Sequence, residues 1–203
     1  MLYAARIFVP LIGASLLIAC TDQAGNPADP THVRPALTVK PGEPGDAADG
    51  QLYQVRLGAA PGSRSNGVMQ IEIVGGYMAV TVHAAGLMPN ANIPQHIHLN
   101  PTCNPGGGVL INLDANLTVA GEAPGTGAAY PLSNQAGVIN YYATRSLDDL
   151  LTAVNTFRGT TLTSVDELLS WLNLEQRNGH MHVGAPVNGG FPAVNCGEVE
   201  RIN

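Results

Sequence analysis

The 203 residues carry a formal charge of -6, with 12% charged side chains, 24 glycines and 15 prolines. No basic run is present to neutralise phosphates, so nucleic acid and an anionic membrane surface are excluded as partners. Glycine and proline at this level favour strands and turns over long exposed helices, and the length allows one domain of about 150 residues behind its N-terminal segments.

Residues 1–20 read as an export signal. Arg6 provides a thin basic start, and residues 7–19 form an apolar run too short for an ordinary membrane span. The run ends Leu17-Ile18-Ala19-Cys20, which resembles the lipobox of bacterial lipoproteins. That resemblance implies that Cys20 becomes the lipidated first residue of the mature chain, held outside the cytoplasm and in contact with membrane through this lipid only. Thr21, where an aspartate would retain the protein, then points to the outer membrane and periplasm if the host is Gram-negative. An ordinary cleaved signal with a chance cysteine is the alternative. Residues 21–50 are rich in Pro, Gly, Asp and Ala and read as a flexible linker in which His32 is solvated.

The folded domain is expected over residues 51–203. Leu52, Val55 and Leu57 mark a first strand. Met69, Ile71 and Ile73 alternate with Gln70 and Glu72 in a second, and Met78, Val80 and Val82 alternate with Tyr77, Thr81 and His83 in a third. Gly75-Gly76 between them predicts a hairpin turn. Further strands are expected around His96 and His98, at 109–113, at 138–143, around His180 and His182, and at 193–202. Turns are expected at 104–108, 121–127 and 186–192. Short strands separated by turns predict a sandwich or closed barrel.

One region departs from that pattern. Ser146 opens SLDD and Ser164 opens SVDE, serine-x-x-acid starts that can satisfy the exposed amides of a first helical turn. Apolar residues then recur at helical spacing, at Leu147, Leu150, Leu151 and Val154 and again at Val165, Leu168, Leu169 and Leu172. Two short helices therefore interrupt the sheet, with Trp171 as a packing anchor on the second. Capping and solvation account for Asp114, Glu122, Asp148, Asp149, Asp166 and Glu167. No nucleophile elbow or phosphate-binding glycine loop is present, so no catalytic residue is assigned.

Four of the six histidines fall in two HxH units, QHIH at 95–98 and GHMH at 179–182. Residues two apart in a strand share a face, so His96 and His98 form one imidazole pair and His180 and His182 another. Ile97, Leu99, Met181 and Val183 would face the core while the histidines face outward. Neutral imidazoles converging from two strands suit copper(II) or zinc. His83 reads instead as a surface or core-edge residue. With Cys20 assigned to lipid, Cys103 and Cys196 remain, which in an oxidising compartment is the arithmetic of one disulfide; two buried thiols are the alternative.

VTVHAAGLMPNANIPQHIHLNPTC resembles the strand-turn-HxH-cysteine segment of copper/zinc superoxide dismutases, and GHMHVGAPVNGGFPAVNCGEV resembles that family's closing segment. Both also resemble the CHRD domain, a related extracellular module. The resemblance implies an all-β, eight-stranded Greek-key sandwich in which Cys103 pairs with Cys196. It matches His96, His98 and His182 to three of the family's four copper ligands, and His180 to none. The bridging histidine expected soon after the first cysteine is missing, as are the other zinc ligands, so copper is the expected ion and zinc ranks below it. Ala193 stands where the family has its active-site arginine, which attracts and orients superoxide. Three functions follow: an extracytoplasmic lipoprotein binding copper or another transition metal through both HxH pairs, a copper-only superoxide dismutase, and a CHRD-like structural or interaction module whose protein partner is unknown.

Overall fold

The period-two alternation decides which faces of the first three strands turn inward. In the computed structural model, which describes residues 50–103, 108–123, 130–182 and 193–203, β1 (Gln51–Ala59), β2 (Asn66–Val74) and β3 (Tyr77–Ala85) form an antiparallel meander. The expected signal, the expected linker up to residue 49, Cys20, His32, Val183 and the turn expected at 186–192 lie outside the described residues, as do 104–107 and 124–127 of the other two expected turns. Met69, Ile71, Ile73, Met78, Val80 and Val82 are all fully buried. On β1 the inward set is Tyr53, Val55 and Leu57, so Leu52 belongs to the opposite face. Gly75 and Gly76 both take positive φ, at 55° and 75°, which the two-residue turn between Val74 and Tyr77 requires.

The remaining strands are β4 (Gln95–His98), β5 (Val109–Asn112), β6 (Ile139–Ser146), β7 (Asn178–His182) and β8 (Ala193–Arg201). All neighbours pair antiparallel, in the order β5-β4-β7-β8-β1-β2-β3-β6. The chain leaves β3 near one end of this order and enters β4 near the other, returns to place β6 beside β3, then crosses again to β7. These crossings make the domain an all-β Greek-key sandwich.

The two helices lie between β6 and β7. Helix α1 (Leu147–Arg158) starts where the Ser146 hydroxyl accepts from the Asp149 amide at 3.1 Å, and α2 (Val165–Leu172) where the Ser164 hydroxyl accepts from the Glu167 amide at 3.2 Å. Gly159 and Asn173, in left-handed conformation, end them. Leu147, Leu150, Val154, Leu168 and Leu172 are buried in the same core as the strands, with Trp171 packed against it. Among the described residues no helix is long and apolar enough to cross a membrane.

Two glycines set how closely the histidine-bearing strands approach the rest of the core. A Cβ on Gly179 would lie 3.1 Å from Met69 and 3.4 Å from Val55, on the facing strands. A Cβ on Gly197 would meet the Arg56 carbonyl oxygen at 2.2 Å. Side chains at these positions would push β7 and β8 off β1 and β2.

Cys103 and Cys196, 93 positions apart in sequence, form a disulfide with Cα atoms 5.7 Å apart. Two acids depart from the roles expected of them. Asp114 is 3% exposed and accepts from the Asn116 and Thr118 amides and the Thr118 hydroxyl, so it organises a turn rather than being solvated. Glu122 takes both arms of the Arg145 guanidinium, at 2.8 and 3.0 Å. Burial pushes its carboxyl up, but the Arg145 and Val119 hydrogen bonds and the Arg145 charge outweigh this and hold it below the usual range.

Closing so long a loop restricts the unfolded chain by about 4–5 kcal/mol in the chain-entropy model, an upper figure. Replacing Cys103 and Cys196 together by alanine is therefore predicted to lower stability by about 2–5 kcal/mol. Denaturant melts of variant and wild type, with and without reductant, check this: the two proteins should coincide once the wild type is reduced.

Candidate metal centre

In an antiparallel ladder directly paired residues share a face, so the register of β4 against β7 decides where the imidazoles go. His96 pairs with His180, and His98 with Asn178. All four HxH histidines therefore project from one face, opposite the fully buried Ile97 and Met181. The same row continues to Asn112 of β5 beside His96 and to Cys196 of β8 beside His180.

The structure brings the two pairs together. One ring nitrogen each from His96, His98 and His182 lie within 4.8 Å of one another. His180 adjoins them: its Nε2 is 2.9 Å from His182 Nε2, and its ring centroid is 3.8 Å from that of His98. With metal–nitrogen bonds of about 2.0–2.1 Å, two ligands at right angles sit about 2.9 Å apart, and opposed ligands about 4 Å. The cluster is thus near the dimensions of an imidazole-bound ion, slightly wider across its long span. His83 stands apart on β3, its Nδ1 bonded to Asn140 Oδ1.

The histidines point away from the core, yet they are not solvated as an outward face would suggest. His98 and His180 are each only 7% exposed. Burial pushes His96 down to about 3, reinforced by the neighbouring charges of His182, His98 and His180. Burial likewise pushes His180 to about 3, reinforced by His98 and His182. Both therefore remain neutral, lone pair available, at any ordinary pH.

Sequence reasoning missed the residues that surround His96. Tyr130, two residues before the isolated bridge at Leu132, places its hydroxyl 3.2 Å from His96 Nε2. The same hydroxyl donates to Asn112 Oδ1 at 3.1 Å. His96 Nδ1 is buried with no hydrogen-bond partner among the described residues. A buried imidazole nitrogen left in that state is costly unless something binds it, and a metal would do so. The only prior signal for Asn112 was its place on the strand next to QHIH, and Tyr130 carried none. A groove of about 740 Å³ lined by Tyr77, Thr118, Glu122, Arg145 and Phe157, among others, includes none of the four histidines.

Fold and face together define an antiparallel β-sandwich bearing a histidine cluster on the outer side of one sheet, with His98 and His180 buried and His96 and His182 partly so. In overall structure the chain is similar to a point mutant of Candida albicans superoxide dismutase 5, with a TM-score of 0.46 and 12% identity over 76% of this chain and 94% of that one. It is also similar to the Cu(II) form of that protein, with a TM-score of 0.45 and 15% identity over the same shares, 76% and 94%. No family model and no curated protein matches the chain.

The depressed histidines make a prediction for the metal-free protein. Unfolded, each imidazole takes up a proton near pH 6.5, whereas His96 and His180 folded do so only near 3. Between these values the unfolded chain binds more protons, so their contribution is complete above pH 6.5 and is lost as pH falls towards 3. The slope approaches about 1.4 kcal/mol per pH unit for each group. Urea melts between pH 6.5 and 5, above the main carboxylate range, should show it. Substituting both histidines by glutamine should flatten the slope.

Proposed function

We propose that this chain is an exported lipoprotein whose β-domain binds a transition metal, copper before zinc, through His96, His98, His180 and His182. The observation that carries the reading is the convergence of four imidazoles from two adjacent strands, three of them offering nitrogens within 4.8 Å of one another. Neutral imidazole suits copper and zinc, and among the described residues of the row no carboxylate or free thiolate competes: Cys196, beside His180, is oxidised. Burial leaves His96 and His180 with no proton to lose on binding. Bound copper would supply one-electron redox chemistry at this face.

The division into a signal over 1–20, a linker over 21–50 and a domain from 51 belongs to the same proposal, supported by the Leu17-Ile18-Ala19-Cys20 ending and the composition that follows it. The disulfide fits an oxidising compartment outside the cytoplasm. Superoxide turnover is not included. Ala193, paired with His182, occupies the place of the arginine that the resembled family uses to guide superoxide.

Purified wild-type protein should take up one equivalent of Cu(II), with nitrogen hyperfine structure in its electron paramagnetic resonance spectrum. His96→Ala and His182→Ala should each weaken uptake by at least about 100-fold, the upper end of what losing an outer partner costs a metal site. Their circular dichroism should match wild type, because neither side chain packs in the core. A wild-type protein that binds no copper or zinc overturns the assignment. Separately, Cys20→Ser should move the protein from the membrane fraction to the soluble one, and retention on the membrane would reject the lipid anchor.

A further inference from the structure

The bonds around His96 continue beyond Tyr130 and end on a carboxylate. Asn112 Nδ2 donates to Thr118 Oγ1 at 3.1 Å, and Thr118 Oγ1 donates to Asp114 Oδ2 at 2.5 Å. Asp114 Oδ1 meanwhile accepts from the backbone amides of Asn116 and Thr118, at 3.0 and 3.2 Å. A carboxylate can only accept, and each hydroxyl has one hydrogen to give. The direction of every bond in the chain is therefore determined from the Asp114 end.

Thr118 spends its hydrogen on Asp114, so its oxygen must accept, and Asn112 must turn its amide nitrogen towards it. That leaves Asn112 Oδ1 facing Tyr130, whose hydrogen goes to it. The Tyr130 oxygen can then only accept from His96, so Nε2 of His96 carries the ring hydrogen and Nδ1 carries the lone pair. Nδ1 is also the His96 nitrogen that is buried with no hydrogen-bond partner among the described residues. A phenol is protonated at neutral pH, so Tyr130 has the hydrogen that the relay needs.

We propose that Asp114 is a positioning residue that acts through Thr118, Asn112 and Tyr130 to fix the tautomer of His96, so that Nδ1 is the atom presented to a metal. This rests on the metal-binding reading for its purpose, but the tautomer exists without metal and is measured without it. Partners of a ligating histidine commonly fix its tautomer and orientation; here the control comes from a carboxylate four hydrogen bonds away.

The relay also makes a prediction that a merely structural role would not. In Asp114→Asn the side-chain oxygen can keep the two backbone amides, which puts its NH2 against Thr118. Thr118 then accepts there and turns its own hydrogen to Asn112, which flips. Asn112 donates to Tyr130, and Tyr130 donates to His96 Nε2. The imidazole hydrogen is driven to Nδ1, which blocks the presented atom.

Long-range nitrogen–proton NMR on the metal-free protein, with the His96 signals assigned, reads this directly. Wild type should show Nε2–H, Asp114→Asn should show Nδ1–H, and Asp114→Asn should have no effect on the tautomer in a Tyr130→Phe background. Copper affinity, measured by competition with a chelator, should fall about 10–100-fold in Asp114→Asn and in Tyr130→Phe. Wild-type His96 bearing its hydrogen on Nδ1 overturns the proposal, as does a folded Asp114→Asn variant that keeps Nε2–H. If Asp114→Asn does not fold, the wild-type spectrum and the loss of affinity in Tyr130→Phe decide. A wild type that shows Nε2–H yet binds no metal refutes the metal reading and leaves the relay standing.

Discussion

The pairing of β4 with β7 is the constraint on which the rest of the histidine face depends. Because His96 lies opposite His180, both HxH pairs emerge on one side of the sheet, and a slip of one residue would send one pair into the core. Several features hold that register. Ile97 and Met181 fill the inner side, Gly179 admits Met69 and Val55 beneath β7, and Cys196, opposite His180, is tied to Cys103. Asn178 adds a clamp at the end of the pair, donating to the Asn100 and Thr102 carbonyl oxygens at 2.7 and 2.9 Å.

The helical insertion joins the same arrangement. Arg177, directly before β7, donates to the Leu172 and Trp171 carbonyl oxygens at the end of α2 and to the Leu99 carbonyl oxygen just after β4. One guanidinium thus connects the end of the helix pair to the strand carrying His96 and His98. Burial of Leu168 and Leu172 anchors α2 in the core, so the insertion fixes where β7 begins rather than hanging from the sheet as an independent module. On the inner side of the same strands the core is partly polar. Gln95, Met181 and Asn195 form one row across β4, β7 and β8. Gln95 donates to the Leu113 carbonyl oxygen, and Asn195 to Ser65 Oγ and the Met181 sulfur.

Burial gives the histidine cluster its chemical character. Solvated imidazoles at this spacing would be partly protonated near neutral pH and would repel one another. Removal from water makes the charged form more costly still, so His96 and His180 stay neutral. Proximity and desolvation act in the same direction, and together they keep several lone pairs close to one another. Neutral donors packed this closely do little for the stability of the sandwich itself, which rests on the apolar strand faces and the disulfide.

Much of this was legible in the chain because it depends on local periodicity. Alternation marked β2 and β3, the glycine pair marked their turn, Ser146 and Ser164 marked the helix starts, and HxH spacing showed which histidines share a face. The even cysteine pair left open whether a bond forms. Other features depend on which distant segments meet, and local spacing carries no trace of them. Nothing near Tyr130 indicates that its hydroxyl lies against His96, and nothing near Asp114 indicates that its carboxylate is buried at the end of a relay. Tyr53, not Leu52, faces inward on β1 because the register with β2 and β8 decides between two apolar neighbours. By itself the sequence determined the kinds of element and the chemistry available; tertiary structure alone decided burial, register and hydrogen-bond direction, because those arise only when separate strands exclude water from the same space.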